Sequence, residues 1–413
     1  MLTGRRFRVE FTDDQADYAE RIAGVCRSVW NTGLEQRRGY RRRGAWMNYR
    51  EQVRELAEAK AEHRWLAEAP GHCLQQTLMD LDRACRAHGT FAVRWRSGRR
   101  WRPSFRFPEG NKMTVQRLNR RHARVKLPKL GWVKFRMSRP LEGVVVRSVT
   151  LTRDGKRWFA SFLVDDGRQT PPAHANPGVA VGVDRGVVAA IATSDGELLD
   201  RPFLTAGEQR RAVVVQRRLS RCARRGSNRD KLRMALAQIR SRERRRRGDF
   251  CAQTAHLLAT ANAMVVVEDL KIRQMTSSAK GTLEAPGTNV RAKAGLNRAI
   301  LAKGWHQFAV ALASAARYTG TSVVAVPAAF TSQRCSVCGH LDPKSRESQA
   351  VFRCTGCAHT AHADVNAARN ILAAGRAVTA CEEPTRPPGR AGSLKQEPAG
   401  NRKELLLQPH ITA

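Results

Sequence analysis

Residues 179–200, VAVGVDRGVVAAIATSDGELLD, hold two apolar runs flanking Asp184-Arg185-Gly186 and a second turn at Ser194-Asp195-Gly196. Short runs of small and β-branched residues bounded by Asp-Gly turns read as strands, so this stretch predicts three consecutive antiparallel strands. Downstream the periodicity changes. FCAQTAHLLATAN (250–262) reads as a helix leading into a buried strand, AMVVVED (263–269), and NRAILAKGWHQFAVALASAARYTG (297–320) as a helix leading into TSVVAVPA (321–328). Three hairpin-connected strands followed by helix–strand repeats is the element order of an RNase H-like α/β fold. A last helix is expected over DVNAARNILAAG (364–375).

Upstream, GRQTPPAHANPG (167–178) is rich in Pro, Gly and polar residues and predicts a domain boundary. Before it, residues 5–11 alternate like a strand, and Thr12-Asp13-Asp14 opens a helical region with helices through Ala16–Asn31, Tyr49–Ala69 and Cys73–Ala87. From 91 to 166 strand patterns return: FAVRW, WRPSFRF, ARVKLPKLGWVKFRM and a hairpin around Asp154-Gly155. The expectation is a β-barrel-like module with a helical insertion after its first strand, so the whole chain is multidomain, α/β and α+β. The tail from Val378 onward has the composition of a disordered segment.

The charge balance narrows the partners. Lys and Arg number 74 against 36 Asp and Glu, a net +38, which calls for a polyanion. A membrane surface would need an amphipathic helix or a long apolar span, and neither is legible, so nucleic acid leads and no membrane partner is expected. The basic start lacks an apolar segment before charges return, which predicts a cytoplasmic, nucleoid-associated protein.

Cys335-x2-Cys338-x15-Cys354-x2-Cys357 is the strongest local signal. Each C-x-x-C knuckle turns two thiolates toward one ion, and two knuckles complete the tetrahedral four-sulfur shell that zinc prefers. Four thiolates leave no open position, so one structural Zn²⁺ is expected. His340, His359 and His362 lie near, but the four cysteines suffice.

Three acids sit at ends of expected core elements: Asp184 after the first strand, Glu268 after the fourth, Asp364 at the start of the final helix. Singly, each has an ordinary explanation: a turn residue, a strand cap (Glu268 or Asp269), a helix N-cap. Jointly they mean more, because strands one and four of an RNase H-like sheet are adjacent and the last helix packs across that edge. Three hard oxygen ligands suit Mg²⁺ or Mn²⁺, and two such ions can clamp the attacking and leaving oxygens of a phosphodiester. For nucleic-acid contact the candidates are Arg96, Arg99, Arg100 and Trp101 in a stretch where guanidiniums alternate with flat rings, and Arg224, Arg225, Arg244, Arg245, Arg246 and Arg247 in a basic helical run.

The ordered set G-V-D-R-G, V-V-V-E-D-L, two C-x-x-C knuckles and A-D-V-N-A-A-R-N-I resembles TnpB, the RNA-guided nuclease family of insertion sequences related to type V CRISPR effectors. With the opening from Phe7 to Trp30-Asn31, the resemblance spans about residues 5–376. It implies that Asp184, Glu268 and Asp364 are the RuvC catalytic acids, and that guide RNA and target double-stranded DNA are the partners. It further implies a wedge-like β-barrel (1–12 and 91–170), a helical recognition lobe (13–90), a RuvC nuclease (178–330 and 361–376) enclosing a zinc ribbon (331–360), and a disordered tail (377–413). A monomer is favoured. The competing readings are a compact CRISPR-associated effector, a non-cutting guided repressor, which the intact acid set argues against, and a transposase performing strand transfer, for which no joining chemistry is legible.

Overall fold

A computed structural model describes residues 1–98, 101–222 and 226–382. The chain divides into two compact units, Met1–Arg168 and the part beginning at Gln169.

The first unit opens with β1 (Leu2–Glu10) and then α1 (Asp13–Arg42), α2 (Tyr49–Glu62), α3 (Arg64–Glu68) and α4 (Gly71–His88). Thr12 and Gln15 form a capping box at the start of α1, with Asp13 and Asp14 in its first turn and Arg41 and Arg42 in its last, so both ends complement the helix dipole. The helix runs eleven residues beyond Asn31, because Leu34 and Arg37 continue its buried face. Arg37 is fully buried: its Nη1 lies 2.7 Å from Asp82 Oδ1 of α4 and its Nε donates to Gln52 Oε1 of α2 at 2.7 Å. Three helices are thereby pinned by one guanidinium, and removing one side of such a buried pair costs about 3–5 kcal/mol.

The strands that follow are β2 (Ser104–Phe107), β3 (Val115–Arg117), β4 (His122–Leu127), β5 (Gly131–Arg136), β6 (Val145–Asp154) and β7 (Arg157–Asp165). With β1 they make an antiparallel sheet in the order β2-β6-β7-β1-β5-β4-β3, so β2 and β3 lie at opposite ends of the hydrogen-bonded ladder. Alternation fills one face. Phe7, Phe135 and Phe162, on adjacent strands, meet with ring centroids 5.2–5.6 Å apart, and the helices add Cys26, Leu34, Leu74 and Leu81 to the same core. FAVRW (91–95) is not a strand. Its backbone partners are side chains of α1: Trp30 Nε1 donates to the Arg94 carbonyl at 3.2 Å, and Asn31 exchanges two hydrogen bonds with Arg96.

The second unit begins with β8 (Ala180–Asp184), β9 (Ile191–Thr193) and β10 (Leu198–Leu199), then α5 (Ala206–Arg221), α6 (Ser227–Ala261), β11 (Met264–Glu268), α7 (Ile272–Met275), α8 (Val290–Lys303), α9 (Trp305–Thr319) and β12 (Ser322–Val326). Its sheet has the order β10-β9-β8-β11-β12, with β8, β11 and β12 parallel and the first three strands antiparallel. β13 (Val351–Arg353) and β14 (Thr360–His362) form a small separate hairpin, and α10 (Ala363–Glu382) closes the described chain.

The sheet is covered on both faces. Val181, Val183, Val265 and Val267 face α6 and α9, while Val266 and Val326 face Ile371 of α10. A Cβ at Gly182 would collide with the Ala368 carbonyl of α10, so glycine is what lets this helix lie directly on β8.

Three element boundaries of this unit differ from expectation. The basic run is divided: its start belongs to α5, which ends at Arg221, and its part from Ser227 onward is continuous with FCAQTAHLLATAN in one helix, α6, since nothing between those two breaks the backbone ladder. The expected helix over 297–320 is two, split at Gly304, whose φ of 76° is left-handed. The final helix continues through 377–382, which therefore are helical rather than tail, and the remaining tail residues 383–413 lie outside the described residues.

Candidate active site

Parallel pairing of Val183 with Val267 sets the ends of β8 and β11 at one level, so Asp184 and Glu268 emerge side by side from the carboxyl edge of the sheet. Asp364, the second residue of α10, is buried, and its Oδ2 lies 3.2 Å from where a Cβ on Gly186 would sit. The three acids that the sequence scatters from 184 to 364 are thus gathered at one place. Burial first, then the charges of Glu268 and Asp364, push the Asp184 carboxyl up to about 7. Burial also raises Glu268. Loss of water is the first cause of both, and at Asp184 the neighbouring carboxylate charges add to it.

Three neighbours were not legible as site residues. Thr331 donates to Glu268 Oε1 at 2.7 Å, with both groups buried. Arg346, between the two cysteine pairs, donates from Nη2 to Asp364 Oδ1 at 3.0 Å, and its charge opposes the rise at both Asp184 and Glu268. Arg185, along the chain no more than part of a turn, is buried and donates to the backbone carbonyl of Glu268. A threonine before a cysteine knuckle and one arginine among many carry no sequence signal; their position comes from tertiary packing.

Asn366 and Asn370, one turn apart on α10, explain how the cysteine segment is held here. Asn366 accepts from the Ser336 backbone at 2.9 Å and donates to the Arg334 carbonyl at 2.7 Å; Asn370 donates to the carbonyls of Thr331 and Arg334 at 2.8 and 2.7 Å.

The four cysteines converge. Their sulfurs all lie within 4.8 Å of one another, and the tetrad is the one group of potential metal ligands among the described residues drawn that tightly. Sulfur separations of 3.8 Å (Cys335–Cys357) and 3.6 Å (Cys338–Cys354) match the edge of a tetrahedron with Zn–S bonds of about 2.3 Å, which is about 3.8 Å. Both knuckles fold alike: Cys335 and Cys354 donate to the carbonyls of His340 and His359 at 2.9 Å. His340 contacts Thr355 instead of the sulfurs, and His362 Nδ1 accepts from the Asp364 backbone. The tetrad fits zinc. The carboxylates, hard oxygen donors held in a looser cluster, fit a divalent cation that keeps part of its water.

The basic candidates divide. Arg99, Arg100, Arg224 and Arg225 lie outside the described residues. Arg246 is taken up by Glu208 and the Phe203 carbonyl, and Arg247 by Gln307 and Glu243, so both are tethers inside the unit. Arg245 is exposed and Arg244 partly buried. Arg96 and Trp101 meet, with the guanidinium 3.8 Å from the Trp30 ring centre and 5.3 Å from that of Trp101.

Known proteins share these features. Family models match residues 161–279 ("Probable transposase"), 305–371 ("Cas12f1-like, TNB domain") and 1–45 ("Helix-turn-helix domain"). Residues 1–45 nevertheless hold β1 and one unbroken helix, with no helix–turn–helix. A protein of Escherichia coli strain K12 described as "Putative RNA-guided DNA endonuclease InsQ" is 38% identical over 96% of this chain and 97% of its own length. A "Putative RNA-guided DNA endonuclease" of Streptomyces pristinaespiralis is 32% identical over 95% and 96%. A Cas12f1 in complex with single-guide RNA and target DNA superposes with a TM-score of 0.55 at 14% identity, covering 88% of this chain and 83% of that one, which shows a shared fold. An RNase H-like sheet order, with a cysteine ribbon before the last helix, fits the class of multidomain α/β folds that contain a RuvC nuclease unit. Within that class, the chain belongs to the TnpB family.

Proposed function

We propose that this protein is an RNA-guided DNA endonuclease of a transposable element, in which a guide RNA pairs with double-stranded target DNA beside a short flanking motif and the acid cluster hydrolyses a phosphodiester. The observation that carries the reading is the meeting of Asp184, Glu268 and Asp364 at one sheet edge, where burial and then the neighbouring charges raise Asp184 to about 7. The family's kinship supports the guided part of the reading, since the E. coli and Streptomyces relatives bear that description.

Asp184, Glu268 and Asp364 would hold two Mg²⁺ or Mn²⁺ ions, which when bound activate water and neutralise the charge that develops on the phosphate. Thr331 fixes the direction of the Glu268 carboxylate, and Arg185 anchors the strand end beneath it. Arg346 donates to Asp364 and would, with cations on the carboxylates, be a donor available to a phosphate oxygen. Cys335, Cys338, Cys354 and Cys357 would hold one Zn²⁺ that keeps the ribbon folded and so keeps Arg346 in place.

In the same reading the first unit comprises a wedge-like β-barrel (1–12 and 91–170) around a helical recognition lobe (13–90). Its support is the seven-stranded sheet with one filled face and the helices packed onto it. The nuclease occupies 178–330 and 361–376 and the ribbon 331–360, in a cytoplasmic setting. Among the described residues no helix is long and apolar enough to cross a membrane. The test is reconstitution with two guides of different sequence. Cleavage should move with the guide and require Mg²⁺ or Mn²⁺; cutting at the same sites by RNA-free protein, whatever guide is added, overturns the reading.

A further inference from the structure

In the first unit, α1 carries Arg27, Trp30 and Asn31 at positions i, i+3 and i+4, hence on one face. The irregular segment 94–98 is strapped to that face by Trp30 and Asn31, and this lays Gly98 on Arg27, where a Cβ would stand 2.8 Å from the Arg27 Nη1. Beside this contact opens a cavity of about 190 Å³, bounded by Glu20, Gly24, Arg27, Trp101 and Arg153. That is room for several waters or for one flat heteroaromatic ring.

The polar groups around it are unevenly paired. Glu20 and Arg153 satisfy each other at 2.6 Å. Arg27 has no hydrogen bond or ion pair among the described residues, and the Arg96 guanidinium lies against the rings of Trp30 and Trp101 with no ion pair among those residues. Burial draws Arg96 down to about 10, with Cys26 and the Asp80 carboxylate opposing the fall. Of the two cations that line the cavity, Arg153 is paired with Glu20, and Arg27 is the one left over. An aromatic wall, a hydrogen-bonding edge made by Glu20 and Arg153, and an unneutralised guanidinium at the rim are the three elements that hold a base and its phosphate.

We propose that this cavity takes one unstacked nucleotide of a single strand, with its base against Trp101, its edge facing Glu20 and Arg153, and its phosphate on Arg27. Arg96 stiffens the Trp101 wall from within and adds positive potential. The proposal rests on the reading of the chain as a nucleic-acid enzyme and gives that reading a specific site outside the nuclease unit. RNA and DNA strands share the chemistry, and the test separates them.

Fluorescein-labelled single strands of one sequence, made as RNA and as DNA, are titrated into full-length RNA-free protein by fluorescence anisotropy. Trp101→Ala should weaken binding by about fivefold to a hundredfold. Gly24→Met fills the cavity without touching a charge; a Cβ there meets nothing within 4 Å, and methionine favours the helix more than glycine. It should weaken binding to a similar degree. Arg27→Gln should lower the slope of log K against log salt by about 0.7, the share of one single-strand phosphate, whereas Gly24→Met should leave that slope alone. Loss with RNA only assigns the site to the guide, loss with DNA only to the target, and loss with both to either strand; all three support a nucleotide site. If Gly24→Met, folded by its thermal melt, binds both strands as tightly as wild type, the site is refuted, even should Trp101→Ala fail to fold. A chain that still cuts where its guide directs while Gly24→Met binds normally keeps the endonuclease reading and loses this site. Guide-independent cutting would remove that reading while leaving the strand titrations to be judged by themselves.

Discussion

The cysteine tetrad and the carboxylate cluster are two potential metal sites in one unit, built in opposite ways. The tetrad draws its ligands from residues 335–357, and two short knuckles with near-identical backbone hydrogen bonds bring the sulfurs to tetrahedral spacing. The carboxylates come from two strands and a helix between residues 184 and 364, and their placement depends on the register of β8 with β11 and on a glycine that lets α10 touch the sheet. Local chain geometry makes a closed, rigid cage suited to a permanent ion. Long-range packing makes a looser, mutually repelling set suited to ions that exchange water and bind a phosphate. The two meet at Arg346 and at the clamp of Asn366 and Asn370, so the closed site supports the open one.

That division can be broken at either side. The largest effect is expected from Asp184→Ala, Glu268→Ala or Asp364→Ala: each should reduce cleavage by at least about a thousandfold while guide and target binding, measured by filter retention, stay near wild type. A single acid variant that cuts normally in Mg²⁺ would show that its residue is not a ligand. Next comes Cys354→Ser, which should lower zinc from one per chain toward none and reduce cleavage through loss of Arg346 and Thr331 from the carboxylates. Elemental analysis reads the first effect and a cleavage assay the second; full activity in zinc-free protein would mean that the two sites are independent.

Smaller effects sharpen the link. Thr331→Val removes the hydrogen bond to Glu268 at nearly constant volume and should raise the Mg²⁺ concentration for half-maximal cleavage by about tenfold to a hundredfold, as for other residues that orient a metal ligand. Thr331→Ser should restore it, with zinc content unchanged in both. If the metal dependence of Thr331→Val matches wild type, Glu268 is oriented by something else.

The smallest effect concerns stability without divalent ions. Because Asp184 titrates near 7 in the fold, well above an ordinary aspartate, the fold favours its protonated form. The corresponding stability is whole below about pH 4 and is lost as pH rises through about 7. Asp184→Asn should therefore raise the melting temperature in EDTA at pH 8 and change it little at pH 4, with a ceiling of about 4 kcal/mol on the stability involved. Adding Mg²⁺ at pH 8 should stabilise wild type and not the variant. Equal melting curves at both pH values would show that burial and the neighbouring charges do not disfavour the Asp184 carboxylate as the geometry implies.

Much of this could be read along the chain, for reasons particular to each element. Asp-Gly turns and β-branched runs fix strands locally, so the three strands of 179–200 were legible, and C-x-x-C spacing is a statement about one ion. FAVRW misled because alternating apolar and basic residues look alike whether a neighbouring strand or the side chains of Trp30 and Asn31 satisfy the backbone. The helix over 297–320 misled because apolar periodicity continues across Gly304, and a left-handed residue leaves no mark on periodicity.

The amino-acid order alone determined that this is a strongly basic chain with a cysteine cage and with acids at the ends of core elements, because charge, spacing and turn chemistry act over a few residues. Only the tertiary structure decided that Arg246 and Arg247 bond within the unit, that Thr331 and Arg346 join the carboxylates, and that a cavity opens beside Trp101. Each of those follows from contacts between residues far apart in sequence, and the free energy of such contacts depends on burial and on which partner arrives, neither of which is written in the order of the residues themselves.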